Sequence, residues 1–405
     1  MKKVIFSLLF LLAQVSYAQW EVVNNGFSKD SLAFRGLAVK GNMVFAGSSF
    51  NGVYLSTDNG DSWVAKNSGL IANSRLWDLE IQDNNIWVII SYDDPESTTI
   101  WNVYMSSDNG DNWILKNSGL PQMPFGGVDI FQVTSYGDSL FAFSTEGIYL
   151  TTNNGNSWSQ VYSPLKAADI YCTSDLMFIN TGTTLLRSTD NGETWIEKND
   201  GLPPSFTMFD MVIKGDTLFA CLWHYGIYRS TDLGETWEPK NSGLTVLDPR
   251  CILIKDDIIF IGTASPYFNN LGGVHVSTDG GENWVQKISG LTDLWITDLE
   301  TIGDYIFAAT DADGVFRAKL SDLTTDVKES EPASSNSIYP NPARDFINTA
   351  DYLGWEYQMY DLLGNNVQMG LVNSENINIS KLSAGFYTIR FFKEGKQEVK
   401  KLIKV

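Results

Sequence analysis

Cysteine and histidine are scarce in this sequence. The cysteines are Cys172, Cys221 and Cys251, all in apolar, strand-like runs, and the histidines are His224 and His275. Three cysteines provide no disulfide framework for an exported chain, and the two histidines lack the paired spacing of zinc ligands. We therefore expect buried free thiols and no zinc centre.

Positive charge and long apolar runs are also in short supply. The chain has 28 Lys and Arg against 48 Asp and Glu, a formal net charge of −20. Nucleic acid attracts basic surfaces, so this balance argues against a nucleic acid partner. Beyond the first 18 residues no uninterrupted apolar run is long enough to span a membrane, and no transmembrane segment is predicted.

The start of the chain, MKKVIFSLLFLLAQVSYAQW, has the pattern of an export signal. Lys2 and Lys3 precede an apolar run that is too short to span a membrane, and small residues lead up to Ala18. This pattern predicts a secretory signal peptide over residues 1–18, cleaved after Ala18. No cysteine follows the cut, so a lipid-anchored start is not expected.

An eight-residue pattern, Ser/Thr-x-Asp-x-Gly-x-x-Trp, occurs six times, first as STDNGDSW from Ser56 to Trp63. Its third residues are Asp58, Asp108, Asn153, Asp190, Asp232 and Asp279. Repeats at this period are typical of propellers or solenoids. The acids suggest a calcium loop, but most copies carry too few oxygen ligands for one. An Asp or Asn that accepts backbone N–H groups, followed by Gly, predicts a tight turn instead.

These six copies resemble the Asp-box (BNR) repeat of sialidases, sortilin-type receptors and photosystem II assembly factors. In that family the box is a structural hairpin and not an active site. The resemblance therefore implies a structural role for the six Asp and Asn residues.

Each box ends a longer unit of four short strands, as in a propeller blade. The units start near Phe34, Leu76, Phe131, Ala168, Phe209, Arg250 and Thr297. The seventh unit lacks its box and its last strand, whereas WEVVNNGF at Trp20–Phe27 aligns with WVAKNSGL at Trp63–Leu70. We expect the N-terminal segment to supply the missing strand, because such closure removes open sheet edges. The predicted fold is all-β, with a seven-bladed β-propeller over residues 19–321.

The end of the chain is a different domain. Residues 322–337 are polar and predict a linker. Tyr339-Pro-Asn-Pro, then Leu382–Tyr387, then the final KKLIKV resemble the C-terminal sorting domain of the type IX secretion system, over residues 338–405. Alternating strands predict a small Ig-like β-sandwich there. The resemblance implies a partner in that secretion machinery and export from a Bacteroidetes-type cell, through the periplasm, to the medium or outer surface.

Ligand contacts are expected on loops, because a rigid scaffold commonly carries function there. The candidate ligand-binding residues are Trp101, Trp223, His224, Tyr225, Tyr267, Phe268 and Arg35. They suggest a platform for a protein or a glycan. The alternative is that individual aromatic rings only pack against neighbouring loops.

Side-chain alternation along the first strands places six carboxylates toward the central channel. They are Asp78, Glu80, Asp169, Asp210, Asp298 and Glu300. Two interpretations are open: a water-filled acidic channel, or a bound cation such as Ca²⁺, which prefers clustered oxygens. No other cofactor is expected.

The sequence favours a secreted or cell-surface, non-catalytic, monomeric propeller that binds an unknown surface protein or glycan. The alternative is a glycoside hydrolase of the sialidase or xyloglucanase type. The sialidase Arg-Ile-Pro motif is absent, and no Tyr–Glu pair stands beside Arg35, Arg75 and Arg250. No catalytic residue is therefore assigned.

Overall fold

The structure is a computed structural model. It describes residues 18–404 apart from 30–31, 73, 94–98, 125, 163–168, 174–175, 182, 191, 265–271, 325–342, 361–365, 384 and 394–395. The chain divides into two compact units, Met1–Thr325 and Asp326–Val405.

The first unit is built from four-stranded antiparallel sheets, with strands numbered in chain order. Strand β1 (Trp20–Val22) belongs to the last sheet. Sheet 1 comprises β2 (Phe34–Lys40), β3 (Met43–Ser48), β4 (Gly52–Ser56) and β5 (Val64–Ala65). Sheet 2 comprises β6 (Arg75–Gln82), β7 (Asn85–Asp93), β8 (Thr99–Ser106) and β9 (Ile114–Leu115). Sheet 3 comprises β10 (Gln132–Tyr136), β11 (Ser139–Ser144), β12 (Gly147–Thr151) and β13 (Ser159–Tyr162).

Sheets 4 to 6 follow the same order. Sheet 4 comprises β14 (Asp169–Cys172), β15 (Met177–Asn180), β16 (Leu185–Ser188) and β17 (Ile196–Glu197). Sheet 5 comprises β18 (Met208–Lys214), β19 (Thr217–Leu222), β20 (Gly226–Ser230) and β21 (Glu238–Pro239). Sheet 6 comprises β22 (Pro249–Lys255), β23 (Ile258–Thr263), β24 (Gly273–Ser277) and β25 (Val285–Lys287). Sheet 7 joins β26 (Ile296–Ile302), β27 (Tyr305–Thr310) and β28 (Val315–Lys319) to β1, and a short helix, α1 (Leu320–Thr324), follows.

The first strands of these sheets form a closed ring. Each contacts the first strand of the next sheet, and β26 contacts β2. The apolar position of each first strand is buried between sheets, as at Leu37, Leu79 and Met211. The second strands are buried on both faces, with Val44, Phe45 and Ala46 fully enclosed in β3. Repeated four-stranded sheets around such a ring are a β-propeller-like fold.

The N-terminal strand completes sheet 7 from the other end of the chain. Strand β1 pairs with β28 in the register Trp20↔Ala318, Glu21↔Arg317 and Val22↔Phe316. The Trp20 ring is 1% exposed, and its indole N–H donates to the Lys287 carbonyl at 2.9 Å. The outer edge of sheet 7 is therefore covered by a strand that lies first in the sequence.

The second unit has its own small core. One sheet has two strands, β29 (Phe346–Asn348) and β32 (Asn376–Asn378). The other has four strands, in the order β31 (Asn366–Leu371), β30 (Glu356–Tyr360), β33 (Gly385–Lys393) and β34 (Lys396–Lys404). A 3₁₀-helix spans Ala350–Tyr352. Tyr352 stacks on Phe391 with ring centroids 3.8 Å apart, and both rings are fully buried. No helix among the described residues of the chain is long and apolar enough to cross a membrane.

Candidate functional site: the channel mouth

The repeated eight-residue pattern forms the turn between the third and fourth strands. In sheet 1 the Asp58 carboxylate accepts the Ser62 N–H at 2.9 Å, and Ser56 Oγ accepts the Gly60 N–H at 2.8 Å. The same bonds recur around Asp108, Asp190, Asp232 and Asp279. Hydrogen bonds from the Ser62 side chain lower the pKa of Asp58. Each acid accepts hydrogen bonds from its own turn.

The tryptophan of the pattern connects neighbouring sheets. Trp113 Nε1 donates to the Lys66 carbonyl of the preceding sheet at 2.7 Å, and Trp284 Nε1 donates to the Lys240 carbonyl at 2.8 Å. Trp195 is different, because its indole donates to Gly192 within its own turn at 3.1 Å. The turns therefore fasten sheet to sheet, with an exception at the junction of sheets 3 and 4.

We predict that Asp190→Ala lowers the melting temperature by about 2–5 °C, because it leaves the Thr194 N–H without its acceptor. Asp190→Asn is the matched control, since Asn153 already makes the equivalent bond to the Ser157 N–H at 3.1 Å. Differential scanning calorimetry measures both. An equal loss in the two variants would mean that the charge, and not the acceptor, matters.

The channel acids are bound to backbone rather than gathered around one point. Asp298 accepts N–H groups from Leu299 at 2.8 Å and from Leu37 of the next sheet at 2.7 Å. The same bridges run from Asp78 to Val133 and from Asp210 to Ile252. These carboxylates thus join the first strands of sheets 7 and 1, 2 and 3, and 5 and 6.

Burial raises the pKa of all six channel acids. The pKa of Asp78 is raised to about 6, those of Glu80, Asp210 and Glu300 to about 7 and that of Asp169 to about 8, and Asp298 lies well above its usual value. Asp169 is buried, and the other five acids are partly buried. Within the described residues no group of three or more His, Cys, Asp or Glu lies close enough to hold a metal ion.

The channel mouth is shaped by a repeated irregularity in the first strands. In sheets 1, 2, 5, 6 and 7 the pairing with the second strand skips one residue. The skipped residues are Arg35, Trp77, Phe209, Arg250 and Thr297. Such bulges redirect a side chain out of the ladder. Along sheets 5, 6, 7, 1 and 2 the skipped residues run aromatic, arginine, threonine, arginine, aromatic.

Arg250 is held between two aromatic rings. Its guanidinium carbon lies 4.2 Å from the ring centroid of Phe209 and 5.7 Å from that of Trp295. Its buried Nε has no hydrogen-bond partner among the described residues. Burial lowers the pKa of Arg250, Asp248 opposes this, and Arg35 lowers the pKa further. Arg250 is therefore a cation with unused donor capacity next to a second arginine.

Two of the predicted ligand residues extend this group. The Trp223 and His224 rings stack at 4.3 Å, and Phe209 meets Trp223 edge-on at 6.2 Å. His224 Nδ1 lies 2.7 Å from the Asp248 carboxylate. We call Phe209, Trp223, His224, Asp248, Arg250 and Trp295 the mouth cluster.

The other predicted ligand residues are not members of the mouth cluster, and two of them lie outside the described residues. Trp101 packs on Trp77, with ring centroids 4.7 Å apart. Arg35 donates from Nε to Ser49 Oγ at 3.1 Å, and its side chain is 47% exposed. Tyr225 is 39% exposed. Tyr267 and Phe268 fall within 265–271 and lie outside the described residues.

The ligand residues predicted from the sequence do not include Phe209, Trp77, Trp295 or Arg250. Four of the skipped residues, Arg35, Trp77, Phe209 and Arg250, each stand one residue before a position that alternation directs toward the channel, but a bulge cannot be read from strand alternation. Trp295 lies outside the first strands, and no local pattern in the sequence indicates its contact with Arg250.

Comparisons with known proteins identify the tail and the fold. Residues 337–405 match the family model of the secretion system C-terminal sorting domain. A solved structure of YCF48 bound to D1 peptide has a TM-score of 0.56 at 16% identity, covering 77% of this chain and 98% of that chain. The extracellular domain of a putative one-component system from B. thetaiotaomicron has a TM-score of 0.56 at 13% identity, covering 94% and 47%.

An ancestral GH74 enzyme has a TM-score of 0.55 at 16% identity, covering 73% of this chain and 49% of that chain. No curated protein matched the chain significantly. Identities this low establish the fold alone. The tail is a type IX sorting domain, so the protein is exported to the medium or the outer surface and interacts with the type IX machinery.

Proposed function

We propose that this protein is a seven-bladed Asp-box propeller whose channel mouth binds an acidic segment of a partner protein. In this proposal residues 1–18 are a signal peptide, 19–321 the propeller, 322–337 a linker and 338–405 an Ig-like sorting domain. The host is a Bacteroidetes-type cell. The propeller acts as a monomeric, non-catalytic binding module.

The observation that carries the proposal is Arg250 in its aromatic sandwich. A guanidinium binds carboxylate through parallel N–H donors, and the rings that contact the partly buried Arg250 limit its motion before the ligand arrives. The net charge of −20 opposes an acidic ligand at long range, so the attraction must come from the local positive charge of Arg250 and Arg35. Asp248 is already in contact with His224 and is not hydrogen-bonded to Arg250.

The aromatic neighbours favour a peptide over a free anion. Phe209 and Trp223 offer an apolar surface beside the cation, and aromatic and arginine residues are the commonest anchors of protein interfaces. A propeller of similar fold has been solved with a peptide bound, which supports a peptide ligand for this fold. We therefore assign Arg250, Arg35, Phe209, Trp223 and His224 to the binding site.

The hydrolase alternative has less support. A glycosidase needs two carboxyl groups facing an open sugar site. Asp78, Asp210 and Asp298 instead accept backbone N–H groups from two adjacent strands. The likeness to a GH74 enzyme concerns the fold and does not supply such a pair.

The test is binding by the mature full chain to arrays of peptides and of glycans. The peptides contain Asp or Glu with and without a neighbouring aromatic residue. We predict that acidic peptides with an aromatic residue bind, and that Arg250→Gln weakens that binding at least tenfold.

Lys214→Gln is the matched control, because this substitution also removes one positive charge. Lys214 lies at the far end of β18, the strand that contains Phe209. Its binding should equal that of the unmodified chain. Glycan binding with no peptide binding, or peptide binding that Arg250→Gln leaves intact, would overturn the proposal.

A further inference from the structure

The four-stranded sheet of the sorting domain has two unlike edges. One edge strand, β34, contains Lys396, Lys400, Lys401 and Lys404. The other, β31, reads NVQMGL and contains no charge. Charged residues on an edge strand discourage pairing with another chain, and part of the β34 edge is already paired through the bridge between Lys404 and Ala343. Among the described residues, the β31 edge has neither protection.

Strand β31 also presents its apolar side chains on the side away from the core. Its register pairs Gly370 with Tyr357 and Gln368 with Met359, and both partners are buried. Side chains alternate along a strand, so Met369 and Leu371 lie on the opposite, outer face. They are 70% and 55% exposed.

The polar and glycine residues of β31 fit the inner face. Gln368 donates to the Tyr357 hydroxyl at 3.0 Å. A Cβ added to Gly370 would lie 3.2 Å from the Tyr357 ring, so a larger residue is disfavoured there. The register is thus fixed by the inner side, and exposure of Met369 and Leu371 follows from it. Val367, beside the bulge in this pairing, adds a third exposed apolar side chain, 39% exposed.

A long, uncharged, apolar edge is an aggregation hazard unless another strand covers it. Among the described residues no strand pairs with the outer side of β31. In the propeller unit the outer strands are too short to pair with another chain. Strands β5, β9 and β17, for example, have two residues each. The contrast indicates that the β31 edge is kept open for a partner.

We propose that β31 is the docking strand of the sorting domain, and that a component of the type IX machinery pairs an extended, uncharged strand with it. Strand addition provides main-chain hydrogen bonds, and alternate pockets receive Val367, Met369 and Leu371. Six residues extend about 20 Å. Such a strip suits a transient hand-over rather than a permanent assembly, which buries well over 1,000 Å² in total.

A second copy of this chain is the less suitable occupant. The strip is smaller than a stable dimer requires. The family match independently supplies a secretion component as the partner for this domain.

The experiment expresses the full chain in a type IX host and measures the fraction exported. We expect Met369→Lys combined with Leu371→Lys to reduce export at least tenfold, and we expect deletion of residues 338–405 to reduce it as strongly. Phe346→Lys is the matched control, because Phe346 is 55% exposed on the other sheet of the same domain. It should export normally.

A second measurement tests the proposal even if the double-lysine variant does not fold. Met369→Cys in the full chain, modified with a maleimide photo-crosslinker, should attach to an export component during secretion, and Phe346→Cys should not. Normal export of a folded double-lysine variant would overturn the proposal. Cross-links only between copies of this chain would also overturn it, and would make β31 a self-association surface.

Discussion

Deletion of Trp20–Phe27 is expected to abolish the cooperative unfolding transition of the propeller, or to lower its melting temperature by about 10 °C or more. The segment places Trp20, Val23 and Phe27 in the core. Each such side chain contributes about 1.5–3 kcal/mol, so the loss approaches the total stability of a typical domain. The deletion also reopens the edge of β28.

The control is deletion of eight residues from the polar stretch 327–334, which lies outside the described residues. Circular dichroism during heating measures both variants. Addition of a synthetic peptide of residues 19–28 should restore part of the lost stability, because the vacant edge can bind it. A deletion variant that melts like the unmodified chain would contradict the closure by β1.

Between pH 5 and pH 8 the stability of the propeller is expected to fall by several kcal/mol. The pKa values of Asp78, Glu80, Asp169, Asp210 and Glu300 are raised to between about 6 and about 8 by burial. The folded state then binds more protons than the unfolded state in this window, and stability decreases as pH rises. Contact with channel water reduces the effect below the full shifts.

Other groups limit this trend at lower pH. Burial lowers the pKa of His275 to about 4, so below pH 6.5 its protonation favours the unfolded chain. Hydrogen bonds hold the pKa of Asp108, Asp190 and Asp232 at about 2, and their stabilising effect is lost in acid. The optimum should therefore lie near pH 5.

Urea denaturation at half-unit pH steps from 4 to 9 measures this dependence. Asp169→Asn removes an acid whose pKa is raised to about 8 and should flatten the curve above pH 6. Asp257→Asn is the control, because that exposed acid pairs with Lys214 and has a lowered pKa. Stability that rises from pH 5 to pH 8 would contradict the raised pKa values.

Much of the fold follows from the repeat in the sequence. The third and fourth strands of sheets 1 to 6 flank the repeated turn, and the alignment of Trp20–Phe27 with Trp63–Leu70 predicts the pairing of β1 in the last sheet. These features depend on local turn chemistry and on strand length, which one chain displays directly.

The mouth cluster depends on contacts that no local pattern contains. Arg250 meets Phe209 from sheet 5 and Trp295 from sheet 7, and these contacts form only when the ring closes. Alternation predicts Asp298 on the channel side of its strand. It could not show that the carboxylate bridges to Leu37, a backbone group of another sheet.

The indole hydrogen bonds couple sheets to their neighbours, so the ring is a closed array of nearest-neighbour interactions between sheets. Trp63 Nε1 donates to the Val23 carbonyl, Trp158 to that of Lys116 and Trp237 to that of Lys198. In such an array a local opening spreads only by breaking the next coupling. Trp195 bonds to its own turn and contacts Tyr162 of sheet 3 through its ring edge. Among the described residues, sheets 3 and 4 can therefore separate without breaking an indole bond, and we expect local opening of the ring to begin at that junction.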